Sequence, residues 1–542
     1  MSPRRAIFSP VIASVLVALA ALAAAPAAGA HGNDRHESAE AGQRIDQLGR
    51  LDFPTSTRNA AAQTAFVRGM LLLHLFEYPA AKEAFLEAQR LDPDFAMAYW
   101  GEAMTYTHPL WNQQDLAAAR AALARLAPDA AGRAAKAPTA REKAWLAAAE
   151  QLYGEGDKPA RDARFAEAMA AMDRQFPEDD EAKLFHALGL LGKAQGERDV
   201  PDFLAAARIA QSVFLRNPDH PGAAHYWIHG MDDPEHAAGA LKAARNLSQI
   251  APAAPHAQHM TSHIFMALGM WDDVVAANER AEKVTEAQLA ERGQPAFRCG
   301  HYSEWLQYGY FQQGRPDDAL RVLADCERQG PEIVAWFRAH PGTRVLSAAS
   351  PDGLQSRIAG SLRTMRAVAA VESAAYARDY NHRAADVGAD PTEAGWTWFS
   401  RGLAQATQGD IAAADTSLEE LRKARAAEAA APRGPETWQS AAAYLQVMQA
   451  MLEGAIANAR GDMDTALVAL ASAARTYDAM PFDFGPPVTF KPPHELAGDL
   501  LAAAGRHEEA AREYALALKW APRRALSETG LAHARAAMAS AQ

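Results

Sequence analysis

Residues 69–93 read GMLLLHLFEYPAAKEAFLEAQRLDP, and residues 498–522 read GDLLAAAGRHEEAAREYALALKWAP. In the first stretch Gly69 is followed by Ala81, Phe85, Ala88 and Pro93, at offsets of 12, 16, 19 and 24 residues. In the second, Gly498 is followed by Ala510, Tyr514, Ala517 and Pro522 at the same four offsets. This spacing predicts two antiparallel helices joined by a short turn. Small residues let the helices approach closely, the aromatic ring fills the space between them, and proline ends the second helix.

Weaker copies extend the frame. One holds Gly454, Ala466, Leu470 and Ala473; another holds Ala240, Ala244, Leu247 and Pro252. Ser262, Val274, Asn278 and Ala281 form a third, and Ala319, Leu323 and Cys326 a fourth. Self-similarity at this period is the 34-residue tetratricopeptide (TPR) pattern. It predicts an all-α fold, a TPR-type solenoid of antiparallel helix pairs with irregular linkers. No strand of useful length is expected. Breaks are expected at 125–140, at 329–357, which holds Pro331, Pro341, Gly342, Pro351 and Gly353, and at 425–436. The stretch 481–493 has five prolines and three phenylalanines, so it reads as a loop laid against the helices.

Composition narrows the function. The 542 residues carry a net charge of −12, which argues against a nucleic-acid partner. Two cysteines exclude a disulfide-dense scaffold and a four-cysteine metal fold. Gly-rich phosphate loops and a GxSxG elbow are absent, so neither a nucleotide nor a flavin is expected. At the amino end Arg4 and Arg5 precede an apolar run over 11–25, then Pro26 and the small-x-small site Ala28-Gly29-Ala30. This reads as a Sec-type signal peptide cut before His31, with a periplasmic or secreted product and no transmembrane helix after its removal. The segments are then a signal peptide (1–30), an amino-terminal extension (31–57), an amino-terminal TPR array with a histidine-lined groove (58–330), an irregular helical middle segment (331–436), and carboxy-terminal repeats with the proline-rich loop (437–542).

The histidines repeat in the same frame. His225 and His229 precede His259 and His263 by 34 residues each. Each pair is spaced i, i+4 and shares one helical face. Neighbouring first helices pack about 8–10 Å apart, so four imidazoles on facing turns would converge on one ion. Imidazole suits zinc, copper, iron or nickel, and nearby carboxylates extend the choice to manganese. The expected cofactor is therefore a transition metal: zinc, iron, copper or manganese. His225-Tyr-Trp-Ile-His229 lacks the glutamate of HExxH, so a zincin peptidase is not supported. The segment His31 to His36 would offer an amino-terminal copper chelate if cleavage falls where expected. Cys299 and Cys326 bracket one helical hairpin, and a disulfide between them or two small buried apolar residues both fit.

The chain resembles a family of exported bacterial TPR proteins. The resemblance is carried by AMAYWGEA at 96–103, HPLW at 108–111, HPGAAHYWIH at 220–229, APAAPH at 251–256, HMTSHIF at 259–265 and GPP at 485–487. Thr261 stands where that family's motif has proline. The resemblance implies the fold and no established activity. The TPR class implies a concave groove lined by set positions of each first helix. That places His74, Trp100, His108, Asp232, Asp233, His256, His301, Glu304, Tyr308 and Glu495 on the groove. The function it implies is binding of a peptide, a protein or a small-molecule ligand there, with the paired histidines holding a metal. Two other readings use the same residues: a metal-dependent hydrolase or oxidoreductase, or an envelope assembly scaffold with no metal. Whether the protein is an enzyme stays open. A metal site predicts imidazoles within ligand reach of one another; a peptide groove predicts them spread along the concave face.

Overall fold

The computed structural model describes residues 47–383, 387–432, 434 and 438–540. The expected signal peptide, most of the amino-terminal extension and the His31–His36 segment lie outside them. Among the described residues the chain forms 24 α-helices and one two-stranded hairpin of two residues per strand, Thr107 opposite Gln114 and His108 opposite Gln113. The helices run in antiparallel pairs, such as Ala60–His74 with Tyr78–Leu91, Pro255–Ala267 with Trp271–Glu291, and Pro493–Ala503 with His507–Trp520. The chain is an all-α array of TPR-like helix pairs.

The two signature stretches show why the repeat works. A Cβ on Gly69 would lie 2.6 Å from the Phe85 ring, and one on Gly101, in the next first helix, 2.4 Å from it. Phe85 is thus clamped between two glycines on successive repeats. The other end is built the same way: Gly498 and Gly530 would place a Cβ 2.8 and 2.3 Å from the Tyr514 ring. Each aromatic stitches one repeat to the next, and any side chain at these glycines would force the helices apart.

Helix starts are local and legible. Asn59, Asp115, Asp157, Asp179, Asp199, Asp410 and Asp462 accept hydrogen bonds from first-turn amides, and Thr139 with Glu142 makes a capping box. Proline occupies the first turn of the helices beginning at Pro221, Pro255, Pro316, Pro351, Pro391 and Pro493.

Several expected breaks are shorter than their composition suggests. The helix Pro316–Ala339 continues through Pro331, and Pro351 opens a helix of 22 residues, so the irregular part of 329–357 shrinks to 340–350. Pro351 starts a helix because the first turn needs no N–H donor there. The stretch 125–140 contains the end of Leu116–Leu126 and the short helix Ala130–Ala135, capped by Asp129. Within 425–436 the helix Ile411–Ala430 runs on to Ala430. Between Asp478 and Pro493 the chain is non-helical, and its phenylalanines are packed. Phe482 stacks on Trp520 with ring centroids 6.1 Å apart, Phe490 is buried near Trp396, and Phe484 lies against His229 and His263. Cys299 and Cys326 are joined by a disulfide, with Cα atoms 4.7 Å apart.

The array also contacts itself across long sequence separations. Trp271 donates its indole N–H to the Arg523 carbonyl at 2.8 Å, and Gly269 abuts the Pro522 carbonyl. The fully buried Arg524 ties three repeats together. It pairs with Glu495 at 2.7 Å and Glu372 at 2.6 Å, and donates to the Tyr308 hydroxyl at 3.0 Å.

Candidate functional site

Three consecutive first helices, Pro221–Gly230, Pro255–Ala267 and His301–Gln312, bring six histidines together. They fall into two triads. His225, His229 and His256 have ligand atoms within 4.8 Å of one another, and so do His259, His263 and His301. The triads adjoin: ring centroids are 5.8 Å apart for His229 and His263, and 6.1 Å for His256 and His259. In place of one four-histidine point, each i, i+4 pair groups with a further histidine that begins a helix.

In three of the six rings, hydrogen bonds fix which nitrogen carries the proton. His225 donates from Nδ1 to the His74 carbonyl at 2.7 Å. His259 donates from Nδ1 to Asn278 Oδ1 at 2.7 Å, and that amide is oriented because its Nδ2 donates to the Val274 carbonyl at 2.9 Å. His263 donates from Nδ1 to Asp232 Oδ2 at 2.5 Å. All three rings therefore turn Nε2 into the cluster. The Nε2 atoms of His259 and His263 face each other at 3.2 Å, and those of His225 and His229 at 3.1 Å. His229 Nδ1 and His256 Nε2 are buried with no hydrogen-bond partner. A tetrahedral ion with bonds of about 2.0–2.1 Å to imidazole nitrogen holds two such atoms about 3.3 Å apart.

The surroundings are aromatic and largely dry. Phe76 packs on His225 at 4.4 Å, Trp305 on His263 at 4.4 Å and on His259 at 4.8 Å, and Phe484 covers His263 at 5.3 Å between ring centroids. Gly485 lets the proline-rich loop press on the Trp305 ring, since a Cβ there would lie 2.9 Å from it. Burial pushes the His225 imidazolium down to about 3, and holds His229, His256 and His259 well below the usual histidine range, with neighbouring imidazoles adding to the effect. Neutral imidazole is the form that binds metal. His301 is on the exposed edge of the cluster. Glu77 borders the cluster, and Asp483 precedes Phe484 in the loop over it. Glu77 Oε1 accepts the His256 backbone N–H at 3.1 Å, and burial raises this carboxyl to about 7. Asp483 is also raised to about 7, by burial and then by Glu197 and Asp232.

A third constellation lies behind the first triad. His74 and His220 donate from Nε2 to the two oxygens of Glu181, at 2.7 and 2.9 Å. Tyr226 donates its hydroxyl to His74 Nδ1 at 2.9 Å, and Ala223 donates its N–H to His220 Nδ1 at 3.4 Å. Every ring nitrogen here is satisfied within the protein. Burial opposes charge on Glu181, but the imidazoles hold its carboxyl well below the usual range. This buried unit positions the His74 carbonyl that orients His225, and the His74 ring rests on Gly222, where a Cβ would lie 2.3 Å from Nδ1.

The other expected groove residues are distributed differently. Trp100 is fully buried against Trp145, Phe185 and Phe53, so it fills the core and faces no groove. His74 belongs to the Glu181 unit. His108 stacks on Tyr78 at 3.9 Å and donates from Nε2 to the Thr105 carbonyl. Asp233 pairs with Arg198 and accepts from His236. Glu304 bonds Ser361, and burial raises its carboxyl. Tyr308 and Glu495 are both buried around Arg524. Aromatic packing and ion pairing within the array claim these side chains. Glu181, Tyr226, Asn278, Trp305 and Phe484 were missed as parts of the site. His220 stood in a quoted motif, whereas Glu181 gave no sequence signal.

No protein-family model matches the chain, and no curated protein is similar to it in sequence. Among solved structures it is similar to the APC/C hetero-tetramer Cut9–Hcn1, with 11% identity, 92% of this chain and 81% of that chain covered, and a TM-score of 0.34. It is also similar to the yeast Tom70 structure (12% identity, 89% and 90% covered, TM-score 0.26) and to the P58(IPK) TPR domain (12%, 89% and 99%, TM-score 0.22). The paired-helix architecture stands on the chain's own geometry. Among the described residues no helix is long and apolar enough to cross a membrane.

Proposed function

We propose that this protein is an exported helical-repeat binding protein whose ligand is a transition-metal ion, held in the histidine cluster beneath the proline-rich loop. One observation carries this reading. His259 and His263 both spend their Nδ1 protons on fixed acceptors, yet their Nε2 atoms face each other at 3.2 Å. Two neutral rings in that state oppose lone pair to lone pair. A cation between them turns the contact attractive; so would a proton, which burial disfavours on His259. Imidazole-only donors favour zinc or copper over manganese. Asp232 would act through His263, orienting it and raising its basicity.

The cluster is walled by Phe76, Trp305 and Phe484, which supports an ion as the occupant over an extended peptide. The test is elemental analysis of the mature protein made without a histidine tag, beside His259→Ala/His263→Ala. Metal that survives dialysis in the parent and is lost in the variant is expected. Failure of the parent to take up zinc, copper, iron or manganese overturns the reading. Export rests on the leader alone, and intact mass after expression with the leader is expected to begin at His31.

A further inference from the structure

We propose that the cluster holds two metal ions, one in each histidine triad, with the His259/His263/His301 site exchanging its ion faster than the His225/His229/His256 site. This rests on the metal reading above and extends it from a single ion to a pair.

Each triad shows its own unmet demand for a cation. In the first, His256 Nε2 is buried without a partner, in one triad with His225 and His229, whose Nε2 atoms lie 3.1 Å apart. In the second, the lone pairs of His259 and His263 are turned on each other. A single ion would answer one of these and leave the other. The triads are also anchored separately. The first is oriented by the His74 carbonyl and packed by Phe76; the second is oriented by Asn278 and Asp232 and packed by Trp305. Each has an acidic neighbour to offset a positive charge: Glu77, bonded to the His256 backbone, for the first, and Asp232, bonded to the His263 ring, for the second.

Access differs. All three histidines of the first triad are buried, whereas the second opens to the surface at His301. An ion there can shed or gain a ligand without the array opening. Three imidazoles per ion, with no carboxylate in either set, fit a borderline divalent ion such as zinc.

The experiment uses the full chain without a tag, stripped with chelator and dialysed against Zn2+. Stoichiometry is read by elemental analysis and zinc release by a chromogenic chelator. Two zinc per chain are expected, released in two phases. His301→Gln is expected to retain one zinc and lose the fast phase; His256→Gln is expected to retain one and lose the slow phase. His301 is exposed, so its replacement leaves the core intact even if His256→Gln folds poorly, and circular dichroism checks both. One zinc in the parent, or an unchanged two in His301→Gln, overturns the two-ion inference while leaving the metal reading standing. No zinc in the parent overturns both.

Discussion

Replacing Glu181 by glutamine tests how the interior behind the cluster is held. The carboxylate is 1% exposed and accepts an N–H from His74 on one oxygen and from His220 on the other. Both donors are committed, because the second nitrogen of each ring already accepts a hydrogen bond. The amide of Glu181→Gln keeps the shape but offers one acceptor and one donor. One imidazole N–H would then face an NH2 group. A hydrogen bond to a charged group contributes about 1.5–3 kcal/mol, and the buried donor left unmatched costs a further ~1–3 kcal/mol. The expected loss is therefore about 2.5–6 kcal/mol, which spans the ~3–5 kcal/mol range for breaking a buried charged pair. Urea unfolding followed by tryptophan fluorescence reads it, since Trp100 and Trp145 pack on Phe185, which touches His74. The pH dependence gives a second check. The folded carboxyl is held below its ordinary value of 4.5, so its stabilisation is fully present above that value and is lost as pH falls below it. The gap between parent and Glu181→Gln should accordingly be full at pH 7 and narrow below about pH 4.5. A variant within about 0.5 kcal/mol of the parent at pH 7 would refute the reasoning, because that is the ordinary scatter of surface substitutions.

Further expectations concern the cluster and the core. Asp232→Asn should weaken zinc binding by about 10–100-fold with little change in stoichiometry, measured by chelator competition, because it removes the charge behind His263. Trp100→Ala should cost about 3–5 kcal/mol in urea unfolding and leave zinc content unchanged, since the ring fills the core and touches none of the six cluster histidines. Arg524→Met should cost about 3–5 kcal/mol by exposing the buried carboxylates of Glu495 and Glu372 to each other. Hydrogen exchange is expected to show the loss first in the helices Pro493–Ala503 and Ala525–Ser540, and uniform protection there would contradict it.

The fold was legible because its determinants are local or periodic. Gly69, Ala81, Phe85 and Ala88 recur as Gly498, Ala510, Tyr514 and Ala517, and a ring clamped by glycines needs that spacing wherever it occurs. Proline composition was a poorer guide: Pro331 and Pro351 lie within helices, one mid-helix and one in a first turn, although both were counted toward an irregular link. The paired histidines were equally visible, since i, i+4 spacing and a 34-residue shift put four imidazoles on adjacent helical faces. The sequence alone therefore determined the repeat, the helix polarity and the candidate ligand pairs. Tertiary structure decided the rest. It joined His256 and His301 to separate triads, set Asn278 and Asp232 behind the rings, and brought Phe484 over them from more than 200 residues away. It also buried Trp100, Tyr308 and Glu495 in interior contacts, although their frame positions had placed them on the groove. The physical reason is that a repeat frame fixes which way a side chain leaves its own helix, while contacts with segments distant in sequence fix what it meets there.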